Sequence, residues 1–216
     1  MRLFDDPAQV EPECESLGPG AALLRGFALP VAASALAALE EIVATSAFRH
    51  MVTPGGLRMS VEMTNCGLAG WVSDRSGYRY ERIDPLSGEP WPGMPACFAR
   101  LASEAAAQSG FGGFVADSCL INRYAPGTRL SLHQDRNERD FREPIVSVSL
   151  GMPVVFLFGG LKRSDRPRRV PLEHGDVVVW GGPDRLRYHG VMPLEDGDHP
   201  STGKYRINLT FRRALA

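Results

Sequence analysis

The sequence lacks paired cysteines and long apolar runs. Its 4 cysteines are scattered and none forms a C-x-x-C pair, which argues against a thiolate zinc site and gives no reason to expect disulfides. The longest apolar runs, VVFLF and VVVW, have the length of a strand and are far too short to span a bilayer. The acidic N-terminal stretch has no apolar core and is not expected to be a signal peptide. We therefore expect a cytoplasmic protein that makes no membrane contact.

A strong net charge and nucleotide-binding loops are missing as well. The formal net charge is -1, so no global field attracts nucleic acid or membranes, although local basic patches remain open. Neither GxGxxG nor GxxxxGK[ST] occurs, so a phosphate-cradling loop is not supported. A length of 216 residues with 44% hydrophobic content suffices for one large domain with a sizeable core.

The pattern of turns and apolar residues predicts two helices followed by a β-rich half. Helical periodicity marks residues 30–48 and 94–110, whereas the acidic, Pro- and Gly-containing residues 1–20 are expected to be loose. The Gly-punctuated region between the helices is expected to form short strands and turns. From about residue 115, the expected strands are 118–124, 129–135, 145–150, 153–158, 168–172, 177–181, 186–191 and 204–213. This spacing predicts a mainly β protein with flanking helices (α+β), built as a sandwich or jelly roll.

The segment LSLHQDRNE, residues 130–138, places His133 and Asp135 two residues apart. Such residues share a face in a strand, so an imidazole and a carboxylate would lie side by side. Random placement would give about 0.3 such His-x-Asp pairs, and the sequence contains two. In the other pair, His174 and Asp176 flank a glycine before an apolar run, so we interpret Asp176 as a turn residue. For the first pair, a metal-ligand set and a hydrogen-bonded strand histidine both remain open.

A metal site would need a third ligand from the remaining histidines. His199 lies in a polar loop that we expect to be exposed, and His50 precedes a Gly-rich segment. By exclusion His189, in the strand candidate RLRYHGV, is the best third ligand, although a lone histidine is more often structural. Two histidines and one carboxylate leave positions open on non-haem Fe(II), the arrangement that oxygenases use.

The segment KYRINLTFRR, residues 204–213, alternates cleanly between polar and apolar positions. The polar side chains that share one face are Arg206, Asn208, Thr210 and Arg212. That face is either a solvated surface or a site for an anion, because a guanidinium binds a carboxylate through two parallel hydrogen bonds. The segment CLINRYAP offers a second polar face through Asn122 and Tyr124.

Several motifs, taken in order, resemble the AlkB family of Fe(II)- and 2-oxoglutarate-dependent dioxygenases. They are NRYAPGTRLSLHQD, PIVSVSLG, LEHGDVVVWGG, YHGV and RINLTFR, and the upstream segments FRHMVTPGGLRMSVEMTNCGLAGW and GYRY resemble the bacterial nucleobase-repair branch. The resemblance covers about residues 23–213 and keeps motif order and spacing. It implies a double-stranded β-helix, a form of jelly roll, in one catalytic domain of residues 21–213. Within it, the lid for nucleotide recognition would span about residues 50–82 and the jelly-roll core about residues 115–213.

The resemblance implies a complete site for iron and its co-substrate. His133, Asp135 and His189 would bind Fe(II). The residues of the implied 2-oxoglutarate pocket are Asn122, Tyr124, Arg206, Asn208 and Arg212. In this pocket, Arg206 would hold the distal carboxylate and Arg212 would lie near the C1 carboxylate.

The implied reaction is oxidative demethylation of bases such as 1-methyladenine and 3-methylcytosine. It consumes O2 and 2-oxoglutarate and releases succinate, carbon dioxide and formaldehyde. The implied partner is alkylated DNA, single- or double-stranded, with RNA as a further substrate, and the protein is expected to act as a monomer. A base inside a duplex is inaccessible to this chemistry, so the target must be flipped out or single-stranded.

Substrate contacts are implied in the lid. Trp71 would stack on the flipped base, Tyr78 would touch the backbone, and Thr53 and Met63 would line the cleft. From the residues alone, the core of a small sheet is the better interpretation of these aromatic side chains.

A basic loop, GGLKRSDRPRR at residues 159–169, admits two interpretations. Most such charge runs are solvated hairpin loops, but this one also suits phosphate contacts that position a strand without reading its sequence. Arg163 matches a substrate-side arginine of the family.

Asn137 departs from the pattern that the resemblance implies, which has an acidic residue at this position in the bacterial branch; this chain has an amide. An amide adds no negative charge to favour a cationic ring. Two alternatives to base repair also remain open: an oxygenase of the same chemistry that acts on a protein or small molecule, and a non-catalytic jelly-roll binding module.

Overall fold

The computed structural model describes residues 14–215. Its strands, in chain order, are β1 (Cys14–Gly18), β2 (Ala21–Leu24), β3 (Arg49–Val52), β4 (Arg58–Gly67), β5 (Gly70–Asp74), β6 (Gly77–Glu81), β7 (Ser118–Tyr124), β8 (Leu130–His133), β9 (Ile145–Gly151), β10 (Val154–Phe158), β11 (Arg168–Leu172), β12 (Val177–Trp180), β13 (His189–Val191) and β14 (Arg206–Arg212). The α-helices are α1 (Ala32–Thr45) and α2 (Ala96–Gln108), and short 3-10 turns cover Leu29–Val31 and Gly182–Asp184.

The strands form two facing sheets and one separate hairpin. The large sheet has eight strands in the order β1-β2-β12-β9-β14-β7-β4-β3, and the small sheet has four in the order β11-β10-β13-β8. Strands β5 and β6 pair only with each other. Every pairing is antiparallel. This is the jelly roll that the strand pattern predicts.

The central strands β9, β12 and β14 of the large sheet are buried on both faces, and their alternation places residues in two separate cores. In β12, Val177 and Val179 pack with the two helices, whereas Val178 and Trp180 pack between the sheets. In β14 the apolar positions likewise face the helices. The polar positions of β14 therefore point between the sheets, and all seven residues of this strand are buried. A solvated polar face is thus the wrong interpretation of this segment.

The structure shifts several predicted boundaries. Helix α1 covers 32–45 of the predicted 30–48, and α2 covers 96–108 of the predicted 94–110. Strand β8 ends at His133 and β13 begins at His189, so both are shorter than predicted. Of the segment predicted to be loose, residues 1–13 lie outside the described residues, and Cys14–Gly18 form the edge strand β1. Strand pairing with β2 orders that stretch despite its acidic composition.

In residues 14–215, no helix combines the length and the apolarity needed to cross a membrane.

Candidate active site

Sheet register brings two histidines together. His133 on β8 is the direct cross-strand partner of His189 on β13, and their ring centroids lie 4.4 Å apart. A side chain at Gly190 would come within 2.8 Å of the Leu130 carbonyl oxygen, so glycine permits this close approach of the strands. Gln134 donates to the Leu186 carbonyl at 2.5 Å, which connects the end of β8 to the segment before His189.

Both imidazoles are oriented to present the same nitrogen. Nδ1 of His133 bonds the Ser131 carbonyl at 2.8 Å, and Nδ1 of His189 bonds the Arg187 carbonyl at 3.0 Å. A carbonyl accepts only from a protonated Nδ1, so the Nε2 lone pairs are free to bind a metal. Burial, aided by the neighbouring His133, lowers the pKa of His189 to about 4, which keeps this ring in the neutral form that a metal requires.

Asp135 completes the cluster from just beyond the end of β8. Its carboxylate oxygens lie 3.7 Å from Nε2 of His133 and 3.7 Å from Nε2 of His189. The candidate ligand atoms of the three residues lie within 4.8 Å of one another. Burial tends to raise the pKa of Asp135, but the Arg212 guanidinium and the two imidazoles outweigh it, so the pKa falls well below its usual range. An ionised carboxylate and two neutral imidazoles form the donor set of non-haem Fe(II) oxygenases.

A buried arginine lies on the facing sheet, on the side of β14 that points between the two sheets. Arg206 is 1% exposed, and its Nη2 donates to Ser149 Oγ at 2.9 Å. Its Nε and Nη1 have no hydrogen-bond partner, and within residues 14–215 no carboxylate forms a salt bridge with it. A fully buried guanidinium with free donors is costly unless an anion pairs with it. The free donors of Arg206 therefore suit an anionic ligand such as a carboxylate.

Within residues 14–215, further buried polar atoms of β7 and β14 are also unpartnered. The Tyr124 hydroxyl, Asn122 Oδ1 and Arg212 Nη1 are buried and lack partners among the described residues. Burial raises the pKa of Tyr124 to about 12, so its hydroxyl keeps a proton to donate. Asn208 differs, because its amide donates to Ser147 Oγ at 2.8 Å and its oxygen accepts from Asn122 at 3.3 Å. It orients its neighbours and has no free polar atom.

The lid residues lie next to the metal cluster. The rings of Trp71 and Tyr78, on the β5–β6 hairpin, stack with centroids 5.6 Å apart. Asn137, two residues after Asp135, accepts from Trp71 Nε1 at 3.2 Å and donates to the Tyr78 carbonyl at 3.4 Å. The structure thus brings three of the predicted substrate residues into contact. These aromatic side chains are partly exposed, as a binding surface requires, and do not form the core of a small sheet.

The other three predicted substrate residues occupy different environments. Met63 on β4 is 2% exposed and belongs to the core between the sheets. Thr53 lies in the turn after β3, where its hydroxyl accepts from the Leu57 amide at 3.1 Å. Arg163 is exposed on the β10–β11 loop with its guanidinium 6.0 Å from the ring of Tyr188. Their roles toward a substrate stay predictions.

Sequence reasoning missed a buried ionic network behind Asp135. Arg212 donates to Asp135 Oδ2 from Nη2 at 2.5 Å and lies 3.3 Å from Glu138. Glu138 also pairs with Arg185 at 3.1 Å and accepts from the Tyr80 hydroxyl at 2.7 Å. No pattern in the polar run that follows His133 indicates a buried carboxylate, because its partners come from distant parts of the chain.

Asp176 and the remaining histidines lie outside this cluster. Asp176 is buried and pairs with Arg25 at 2.8 Å, in agreement with its interpretation as a structural turn residue. The rings of His174 and His199 are in contact, with centroids 4.6 Å apart and planes tilted by 38°, and His199 is only partly exposed.

Comparison with known proteins agrees with this geometry. The family model of the 2OG-Fe(II) oxygenase superfamily matches residues 20–212. The chain is 57% identical over 214 residues to the alpha-ketoglutarate-dependent dioxygenase AlkB of Salmonella typhimurium, covering 99% of this chain and 98% of the relative. The nucleic acid dioxygenase ALKBH1 of Mus musculus is 35% identical over 132 residues, which covers 59% of this chain and 33% of that protein.

A solved structure shares the fold. The structure of OsALKBH1 superposes with a TM-score of 0.81 at 27% identity, covering 93% of this chain and 100% of that chain.

Proposed function

The chain belongs to the AlkB family of the 2OG-Fe(II) oxygenase superfamily, and we propose that it repairs nucleic acids by oxidative demethylation of alkylated bases. It is an Fe(II)- and 2-oxoglutarate-dependent dioxygenase. The observation that carries this conclusion is the presence of a His-Asp-His cluster together with the buried guanidinium of Arg206, which forms no salt bridge within residues 14–215. One supplies the donors for the metal, and the other supplies the counter-charge for its dicarboxylate co-substrate.

The buried residues between the two sheets have separate binding roles. His133, Asp135 and His189 would hold the iron. The free guanidinium donors of Arg206 and the protonated Tyr124 hydroxyl would bind the distal carboxylate of 2-oxoglutarate, since charge-assisted hydrogen bonds favour a fork of two N–H groups. When bound, Fe(II) and 2-oxoglutarate would allow O2 to oxidise an N-methyl group. 2-Oxoglutarate would be converted to succinate and carbon dioxide, and the methyl group would leave as formaldehyde.

The lid supplies the recognition of the base. Trp71 and Tyr78 present a stacked aromatic surface next to the metal cluster, held by Asn137. A base that is flipped out of a duplex, or that lies in a single strand, would be recognised by stacking on such a surface, and each stacked base contributes about 1–3 kcal/mol. Exposed arginines of the β10–β11 loop, including Arg163, would contact phosphates without reading sequence.

The proposal extends to the substrates, the oligomeric state and the location of the protein. We propose 1-methyladenine and 3-methylcytosine in single- or double-stranded DNA, and also RNA, as substrates. We further propose that the protein acts as a monomer in the cytoplasm. The absence of a carboxylate at Asn137 supports acceptance of uncharged as well as cationic bases.

Succinate formation tests the proposal. The protein with Fe(II), ascorbate, oxygen and 2-oxoglutarate is expected to form succinate faster when an oligonucleotide with one 3-methylcytosine is added than with its unmethylated counterpart. His133→Ala is the control and should form none. Equal rates with both oligonucleotides would keep the oxygenase and reject the nucleobase as substrate.

A further inference from the structure

Glu138 lies at the junction between the metal cluster and the lid hairpin. Its side chain is 2% exposed, although it follows Asp135 by only three residues in a polar stretch. The Tyr80 hydroxyl on β6 donates to it at 2.7 Å. This is a contact between the lid hairpin and the segment that carries an iron ligand.

The same carboxylate pairs with the two arginines that hold Asp135. Nε of Arg212 lies 3.3 Å from Glu138 Oε1 and donates to Asp135 Oδ2 at 3.1 Å. Arg185 pairs with Glu138 at 3.1 Å and donates to the backbone carbonyl of Asp135 at 3.0 Å. Asp135 is thus held by one arginine at its side chain and by another at its backbone, and Glu138 contacts both.

Burial makes this network sensitive to the loss of any member. The side chains of Arg185, Arg212 and Glu138 are 3%, 6% and 2% exposed. Removing one partner of a buried ion pair leaves an uncompensated buried charge, which strongly destabilises the protein. Glu138 therefore constrains both arginines, and an undocked hairpin would deprive Glu138 of the Tyr80 donor.

We propose that Glu138 is a positioning residue that couples docking of the lid hairpin to the orientation of the iron ligand Asp135. The Tyr80 hydroxyl bonds Glu138 when the hairpin is docked. Glu138 in turn orients Arg212, which holds the side chain of Asp135, and Arg185, which holds its backbone. Coupling of this kind is reciprocal, so metal binding must stabilise the docked hairpin to the same extent that docking strengthens metal binding. The inference rests on the proposed metal site.

Metal affinity without turnover tests the coupling. Mn(II) is titrated into the protein with 2-oxoglutarate present and oxygen excluded, and free Mn(II) is read by electron paramagnetic resonance. Outer-shell partners of metal ligands typically contribute 10- to 100-fold to affinity, so we expect Glu138→Gln to weaken Mn(II) binding about 10-fold. Tyr80→Phe removes one hydroxyl from a residue that touches no ligand, and we expect a weakening of about 3-fold. Because the two substitutions remove the same contact between Tyr80 and Glu138, the double variant should bind Mn(II) no more weakly than Glu138→Gln alone.

Asp176→Asn is the matched control, since it also removes a buried carboxylate that pairs with an arginine. It is expected to lower the unfolding temperature and leave Mn(II) affinity within twofold of wild type.

Hydrogen exchange supplies the reciprocal readout. Mn(II) with 2-oxoglutarate should slow amide exchange in residues 70–81 of the wild type, and this slowing should shrink in Tyr80→Phe. Unchanged affinity and unchanged protection in Tyr80→Phe, with the wild type binding Mn(II), would overturn the coupling and leave the proposed function intact. A wild type that binds no Mn(II) would overturn the metal site itself, and the coupling with it.

Discussion

Replacing Arg206 by methionine is expected to weaken binding of 2-oxoglutarate without destabilising the ligand-free protein. The guanidinium is 1% exposed and has no carboxylate partner among the described residues, so burying its charge costs several kcal/mol in the ligand-free protein. One hydrogen bond to Ser149 and a position 4.9 Å from the centre of the Tyr124 ring offset only part of that cost. Methionine has a similar length, packs in apolar surroundings and carries no charge.

The magnitudes follow from those contacts. We expect the free energy of unfolding of ligand-free Arg206→Met to equal that of the wild type or to exceed it by up to about 2 kcal/mol. Replacing buried ions by apolar side chains often gives that result. The variant loses two charge-assisted hydrogen bonds to 2-oxoglutarate at about 1.5–3 kcal/mol each, a loss of roughly 10²- to 10⁴-fold in affinity.

Two assays measure the two effects. Urea unfolding of the ligand-free protein gives the free energy of unfolding, and calorimetric titration with 2-oxoglutarate in the presence of Mn(II) gives the affinity. Arg123→Met is the matched control from the adjacent strand, because Arg123 pairs with Glu62 at 2.8 Å and is 30% exposed. That variant should lose a little stability and keep its affinity. An Arg206→Met protein that is destabilised by more than about 1 kcal/mol, yet binds 2-oxoglutarate within threefold of wild type, would show that this guanidinium neither destabilises the ligand-free protein nor binds the co-substrate.

Three further predictions concern the substrate side. Asn137→Asp should raise the ratio of kcat/KM for cationic 3-methylcytosine over neutral 3-methylthymine several-fold, because it adds a negative charge; an unchanged ratio in competition assays would show that this residue does not sense the charge of the base. Trp71→Ala should weaken binding of a methylated oligonucleotide roughly 5- to 150-fold in fluorescence anisotropy, the loss of about 1–3 kcal/mol of stacking; binding as tight as wild type would remove Trp71 from the site. Arg163→Gln should reduce the salt dependence of oligonucleotide affinity by about one unit of slope, equally for all sequences; an unchanged slope would show that this arginine contacts no phosphate.

Sequence could predict the parts of this site whose residues lie close together in the chain. His133 and Asp135 could be proposed because they are two residues apart, and the polar set of β14 because it repeats every second residue. Period-two alternation could not decide whether that face meets water or a ligand. The decision comes from the pairing of β14 between β7 and β9, which buries both faces.

The network behind Asp135 could not be predicted in the same way. Glu138, Arg185 and Tyr80 come from three separate segments, and only the folded chain brings them together. In the sequence, Glu138 is one charge in a run of charges, and its burial depends on arginines 47 and 74 residues away, at positions 185 and 212. Strand β1 was missed for a related reason, because pairing with β2 orders a stretch whose composition favours a loop.

Formaldehyde release is the most direct test of the demethylase activity. A single-stranded oligonucleotide with one 1-methyladenine is incubated with the protein, Fe(II), 2-oxoglutarate, ascorbate and oxygen, and formaldehyde and unmodified adenine are both counted. We expect one formaldehyde for each adenine restored, no reaction without 2-oxoglutarate, and none with His133→Ala. Succinate formation without either product, from protein shown to bind Fe(II), would contradict the account of this chain as a nucleobase demethylase.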